Sequence, residues 1–320
     1  MKVLLTVDTE VSKPLAPDWR ETALRANLAR DIHGETSAGS FGVGFQMDLL
    51  NRHGLRAAFF VEALMAEVVG REPLREIVDL VHRGGHEVQM HAHTEWLRLV
   101  ADAPRAETRA GFIRGYDQET QQMLLGRALE HLRACGAEDV HAFRAGNYAA
   151  DRRTLRALAA LGLRYDTSHN AAHLGLACGL ESLGMLKQPR EVDGVVEVPV
   201  TWYRDRPGGV RPLQLCACSS EEMTRVLLDA WRSGWRVAVI VSHGFELIRR
   251  RPKPKPHRVV VRRFEALCRF LAENRDKFET CGFADLVPED LAEPEPARAL
   301  RSSLARTLRR YAEQAVGHIV

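Results

Sequence analysis

Apolar and polar positions alternate along this chain in two periods, and the two periods take turns. Met1–Val7 is a short apolar run rich in β-formers, the mark of a buried strand, and it ends at Asp8-Thr9-Glu10. Residues 11–40 are polar, carry two prolines, and read as a long loop with helical pieces. Phe45–His53 has apolar residues at helical spacing and stops at Gly54, after which Leu55–Val61 reads as a second strand. A helix is predicted around Glu72–Arg83, with Leu74, Ile77, Val78 and Val81 on one face and Gly84-Gly85 as its stop.

The series continues with a strand at His86–His91, a helix at Gly115–Ala134 and a strand at Val140–Arg144. Asp151–Leu161 is a helix capped by Asp151 and ended by Gly162, and Leu163–Tyr165 is a strand. Val195–Trp202 and Trp235–Val241 are two more strands, separated by the helix Ser220–Ser233. Val259–Arg275 closes the series as a helix. Strands alternating with helices through short turns demand parallel pairing with the helices outside. Pattern alone leaves an open sheet and a closed barrel equally admissible.

Two segments stand apart. Arg249–His257, RRRPKPKPH, is basic and punctuated by proline, which excludes a helix and points to an exposed loop. A linker, Pro288–Pro296, then separates residues 1–287 from a cationic amphipathic helix over Ala297–Val316. Its apolar stripe is Leu300, Leu304, Leu308, Tyr311 and Ala315, expected to pack on its own domain or a second subunit, with peripheral membrane contact as the rarer use.

Composition narrows the picture further. The chain has 320 residues, 45% of them hydrophobic, enough to bury a full core. It carries 45 basic against 42 acidic residues, a balance that argues against a dedicated nucleic-acid binder. Six cysteines form no CxxC pair and read as reduced, buried thiols. The N-terminus lacks a signal-peptide pattern and no stretch approaches 18 uninterrupted apolar residues, so the expectation is a cytoplasmic protein.

The candidate chemistry collects where strands end, because loops there converge on one opening. In extended chain Asp8 and Glu10 point to one side, and two adjacent carboxylates repel unless a cation or shared proton intervenes. Alone the pair is weak, since surface carboxylates are common. His91-Ala-His93-Thr-Glu95 is stronger. If the strand runs on, His91 and His93 share a face; if a helix starts at His91, the pair becomes His91 and Glu95. Adding Glu10 makes three ligands with a place left for water, the open arrangement of catalytic zinc. His243, following a buried apolar run, is a candidate general acid, and Arg144 could hold Asp8 ionised and oriented.

In order, TVDTE, GLRAAFFV, GGHEVQMHAHTEW, FRAGNY, LGLRYDTS, EVPVTWY and VIVSHGFEL resemble the successive motifs of the polysaccharide deacetylase (NodB-homology) family, over roughly Met1 to Leu286. The resemblance is nearest to the branch found among surface-polysaccharide (O-antigen and capsule) biosynthesis genes. It implies an α/β fold, a distorted (β/α)7-type barrel extended here by the C-terminal helix. It also implies hydrolysis of an acetyl group on an N- or O-acetylated sugar, with a divalent ion, zinc first and cobalt, nickel or manganese as alternatives. The ion is expected near the N-terminal ends of the barrel. Carried over by residue, Asp8 is the base, Glu10 and His91 are metal ligands, Arg144 tethers the base and His243 is the acid. The second metal histidine of the family falls where Glu95 stands, so His93 is the preferred substitute, and the arginine motif lacks its usual proline, reading Arg144-Ala-Gly-Asn-Tyr148. An amide hydrolase acting on a small amide and a non-catalytic carbohydrate-binding relative are the competing functions.

Overall fold

The computed structural model describes residues 1–11, 21–108, 111–250, 253–291 and 298–319. Seven strands in parallel register form its centre: β1 (Lys2–Thr9), β2 (Ala58–Glu62), β3 (Glu87–Ala92), β4 (Ala142–Ala145), β5 (Tyr165–Asp166), β6 (Val195–Glu197) and β7 (Val237–His243). Their spatial order is β7-β1-β2-β3-β4-β5-β6, with Arg190–Val192 added antiparallel to β6 and Glu279–Thr280 parallel to β1. Both faces of such a sheet are covered, so the strands read as continuous apolar runs. VAVIVSH in β7 is buried throughout except at His243.

Helices flank the sheet: Val43–Arg52, Arg71–Arg83, Gln118–Ala134, Arg152–Ala160, Ser220–Arg232 and Arg258–Glu273. Leu74, Ile77, Val78 and Val81 all lie in the core, as their spacing demands. Asp151 and Ser219 each form a capping box with the residue three positions on. The residues expected to be a loop over 11–40 include a helix, Glu21–Asp31, and a short hairpin, Glu35–Thr36 with Gly39–Ser40; residues 12–20 of that stretch lie outside the described residues.

The seam between β6 and β7 is closed by other means. Thr201 and the segment Leu213–Leu215 bond to Val239 and Val241 on the outer edge of β7. Lower on the same edge, the Gln188 side-chain amide accepts from the Arg236 and Val237 N–H groups and donates to the Val237 carbonyl. The result is a curled, distorted (β/α) barrel.

Four expectations need correction. The strand expected over Val195–Trp202 stops at Glu197, since Pro199 offers no N–H to a ladder. Trp202–Arg204 instead joins a small sheet with Arg211–Pro212 and Leu300–Arg301. The final helix therefore begins at Leu304, not at Ala297, and runs to Ile319. The basic loop has hairpin ends, Ile248–Arg249 against Lys255–Pro256, with residues 251–252 outside the described residues. Finally, the candidate residues gather at the C-terminal ends of the parallel strands, not at the N-terminal ends, because each follows its strand in sequence. No described helix is long and apolar enough to cross a membrane.

Candidate active site

Strand register sets the rim. Asp8 of β1 stands beside His243 of β7, while Glu62, His91 and Arg144 are successive neighbours on β2, β3 and β4. Parallel neighbours point to the same side, so these side chains project together toward the barrel mouth. The strand of β3 ends at Ala92, and His93 keeps an extended backbone (φ −100°, ψ 96°) before a 3₁₀ turn begins at Thr94. His91 and His93 therefore share a face, and Glu10 meets both. His93 Nε2 lies 2.6 Å and His91 Nε2 3.8 Å from Glu10 Oε2.

Glu95 stands behind this group. Its Oε1 lies 3.3 Å from His93 Nδ1 and accepts from Asn147 Nδ2 at 2.8 Å, so it supports the second histidine. The sequence left His93 and Glu95 as alternatives for one place; in the structure His93 lies against Glu10, and Glu95 lies against the far side of the His93 ring.

Whether a cation fits can be read from the hydrogens. His91 Nδ1 lies 2.7 Å from the Arg144 carbonyl, which can only accept, so Nδ1 carries the proton and Nε2 presents a bare lone pair. That lone pair faces the Glu10 carboxylate, two acceptors across a gap that a cation would satisfy. Burial pushes the His91 pKa down to about 4, keeping the ring neutral as a ligand must be. Burial alone would raise the Glu10 carboxyl, but the charge and hydrogen bond of His93 outweigh it and hold it below the usual range. Two imidazoles and a carboxylate, with outer carbonyl and carboxylate partners fixing both rings, suit zinc and related divalent ions.

Glu62, absent from the candidate ligands, also belongs to this cluster: ligand atoms of Glu10, Glu62, His91 and His93 all lie within 4.8 Å of one another. Both of its oxygens are engaged, one by the His93 N–H at 2.6 Å and the other by the Leu64 N–H at 2.9 Å. It thus fixes the backbone that carries His93. Gly146 serves the same ring from below. A Cβ there would lie 2.5 Å from the His93 ring, so only a residue without a side chain leaves that ring its place. The next two residues, Asn147 (φ 56°) and Tyr148 (φ 58°), adopt left-handed backbone without being glycine, a strained turn at the edge of the cleft.

On the opposite side, Arg144 is fully buried and donates to Asp8 Oδ1 at 2.5 Å, to Thr6 Oγ1 at 3.0 Å and to the Thr167 carbonyl at 3.3 Å. Burial by itself would raise the Asp8 carboxyl; Arg144, with His91 and His243, overrides it and keeps the group ionised. Asp8 Oδ2 is left facing the cleft, 3.8 Å from His243 Nε2. His243 Nδ1 meets Glu246 Oε1 at 2.8 Å. Burial pulls the imidazolium pKa down, yet the Glu246 hydrogen bond and charge more than offset this and raise it to about 9. Glu246 is itself held by Gln214 Nε2 (2.6 Å) and the Cys216 N–H (3.2 Å). Gln46 fixes the start of this loop through the His243 and Gly244 carbonyls.

All six candidates, Asp8, Glu10, His91, His93, Arg144 and His243, are thus brought together around one rim. All but Arg144 line a cleft of about 210 Å³ walled by Phe112, Tyr148 and His173. Glu62 and Asn147 were missed; Glu62 carries the same signal as the others, a titratable residue closing an apolar strand.

Residues 46–165 match the family model described as polysaccharide deacetylase, the family that the motifs resemble. The match includes Glu62, His91, His93 and Arg144 and leaves Asp8, Glu10 and His243 outside it. Among solved structures, a candidate polysaccharide deacetylase from Mycobacterium smegmatis is similar at 22% identity and TM-score 0.52, over 92% of this chain and 94% of that one. At that identity the likeness speaks for the fold. A family 4 carbohydrate esterase from Streptomyces lividans, in complex with acetate, aligns over 93% of this chain and 96% of its own at 12% identity and TM-score 0.44. A family 4 pseudoenzyme from Bacillus anthracis aligns over 94% and 68%, at 11% identity and TM-score 0.40. No curated protein matches the chain.

Proposed function

We propose that this chain is a metal-dependent hydrolase that removes an acetyl group from an N- or O-acetylated sugar of a polysaccharide or its precursor, in the manner of the surface-polysaccharide branch its motifs resemble. The observation that carries this reading is the meeting of the Nε2 atoms of His91 and His93 with Glu10 Oε2, on the same rim as an arginine-tethered aspartate and a carboxylate-backed histidine.

Glu10, His91 and His93 would hold the ion, with Glu62 and Glu95 keeping His93 in place. A divalent ion there would polarise the acyl carbonyl and lower the pKa of water. Asp8, its Oδ1 occupied by Arg144, uses the free Oδ2 to take the proton of the attacking water. His243, held as the imidazolium by Glu246, gives its Nε2 proton to the departing amine or alcohol. Asp8 and His243 lie 3.8 Å apart, so one bridging water can carry the proton Asp8 took from the attacking water to His243 and so reset the site.

Metal content by elemental analysis, followed by acetate release from acetylated sugars, tests the proposal. About one divalent ion per wild-type chain is expected, lost in His91→Ala. Asp8→Asn should keep the ion and lose activity by about a thousandfold. Near-full activity in Asp8→Asn removes Asp8 as the base. A folded wild-type chain that takes up no ion favours the non-catalytic binding relative, and turnover of small amides in preference to acetylated sugars favours the other hydrolase.

A further inference from the structure

The C-terminal helix is attached by its polar face and turns its apolar face outward. Arg306, Thr307, Arg310 and Glu313 lie on the inner side. Arg310 is fully buried between Glu222 (2.8 Å) and Asp205 (2.9 Å), and the Thr307 hydroxyl donates to the Asp205 carbonyl at 2.9 Å. Glu313 pairs with Arg263 at 3.0 Å, and Arg306 with Glu221 at 3.0 Å. Outside stand Leu304, Ala305, Leu308, Tyr311 and Ala312, all exposed, with Leu304 at 60% and Leu308 at 66%. The stripe expected to pack on the body is thus split. Leu300 is buried in its strand, and the three large residues after it face solvent.

An amphipathic helix usually buries its apolar stripe. Here buried ion pairs hold it the other way round, and breaking such a pair is costly, so the outward orientation is fixed rather than incidental. Arginine is plentiful nearby: Arg206 donates to the Tyr311 hydroxyl at 2.7 Å, Arg298 and Arg301 are exposed just before the helix, and Arg309 on it is exposed and pairs with Glu221 at 2.7 Å.

We propose that this face docks on an anionic lipid surface, with Leu304, Leu308 and Tyr311 entering the interface and the arginines meeting the headgroups. An apolar stripe rimmed by arginine is the chemistry that such a surface recognises. A second copy of the chain fits less well, because a two-fold contact through this face would set arginine against arginine.

The helix also sits at the site's end of the barrel. Glu221 and Glu222 open the helix Ser220–Arg232, and Arg263 lies near the start of Arg258–Glu273, both of which begin at the C-terminal ends of the strands. Arg263 further donates to the carbonyl of Cys216, whose N–H donates to Glu246 behind His243. Docking would therefore bring the cleft to the lipid surface, where a lipid-carried sugar would be presented.

Co-sedimentation of the full chain with phosphatidylglycerol–phosphatidylcholine vesicles tests this, with pure phosphatidylcholine as control. Binding is expected only with the anionic lipid and should weaken as salt rises to about 0.5 M. Leu304→Glu with Leu308→Glu should weaken it at least about tenfold while the thermal midpoint stays within a degree or two, since both side chains face solvent in the free protein. Absence of binding to anionic vesicles, or equal binding by the double variant, overturns the proposal. So does a solution dimer that the double variant dissolves, which would assign the face to a second copy.

Discussion

Among the described residues two arginines are fully buried, Arg144 and Arg310, and they do opposite things with the carboxylates they hold. Arg310 lies between Asp205 and Glu222, and the other oxygen of Glu222 is already taken by the backbone and hydroxyl of Ser219. Asp205 Oδ2 also accepts from Arg211, neither carboxylate lines the cleft, and the cluster is a rivet. Arg144 spends its other donors on Thr6 and Thr167 and grips only Asp8 Oδ1, leaving Oδ2 beside the cleft. A buried arginine whose carboxylates lie away from the cleft is architecture. One whose carboxylate keeps a free oxygen at an opening marks a place where protons can be moved.

Substituting each arginine breaks the comparison most directly. Arg144→Met should lower turnover by about a thousandfold, because Asp8 loses both its orientation and the charge that keeps it ionised. Arg310→Met should instead cost about 3 kcal/mol of unfolding free energy and leave turnover per folded molecule unchanged. Denaturation curves and active-fraction-corrected kinetics on the two variants read both effects. If Arg310→Met lowers turnover as far as Arg144→Met, the division between rivet and tether is wrong.

A second variant sharpens the metal side of the rim. Gly146→Ala forces a methyl group against the His93 ring. Metal affinity, measured by competition with a chelator, should fall by about tenfold or more, in line with the loss of an outer-sphere support. Unchanged affinity would mean that His93 is not held against Gly146 when the ion is bound.

The smallest expected effect concerns pH. In the proposed mechanism the protonated form of His243 is the active one, and its raised pKa, about 9 in the ion-free chain, keeps it protonated at neutrality. Activity should therefore be lost as pH rises through that value, or below it once a divalent cation repels the proton. Glu246→Gln removes the largest raising influence, so the alkaline limb should move to lower pH by about one unit. A limb that stays in place would separate Glu246 from the acid.

The period of the apolar residues carried most of the fold. Seven strands and the helices between them were legible because parallel strands and their covering helices must be apolar in different rhythms, and caps such as Asp151 stand where their chemistry requires. The six rim residues could be read too, since each closes an apolar run. Glu62 closes one as well, at the end of FFVE, but a lone carboxylate there looks like solvent contact until His93 is seen to lean on it. The service of Gly146 to His93 joins residues 53 apart and leaves no local trace. The final helix could not be oriented from sequence, because an amphipathic stripe looks the same whether it faces the core or the solvent. Only the placement of Asp205 and Glu222 decides which side is buried.

The Gln188 amide has a consequence beyond closing the barrel. β7 is a long apolar strand, and with its outer N–H and C=O groups bare it would be a template for pairing with a strand of another molecule. Gln188 occupies those groups at Val237, while Thr201 and Leu213–Leu215 occupy them at Val239 and Val241. One side chain and two short stretches of chain, standing in for a strand, thus guard this apolar edge while the molecule is folded. During synthesis β7 emerges after these partners, so the cover is already made when the strand that needs it arrives.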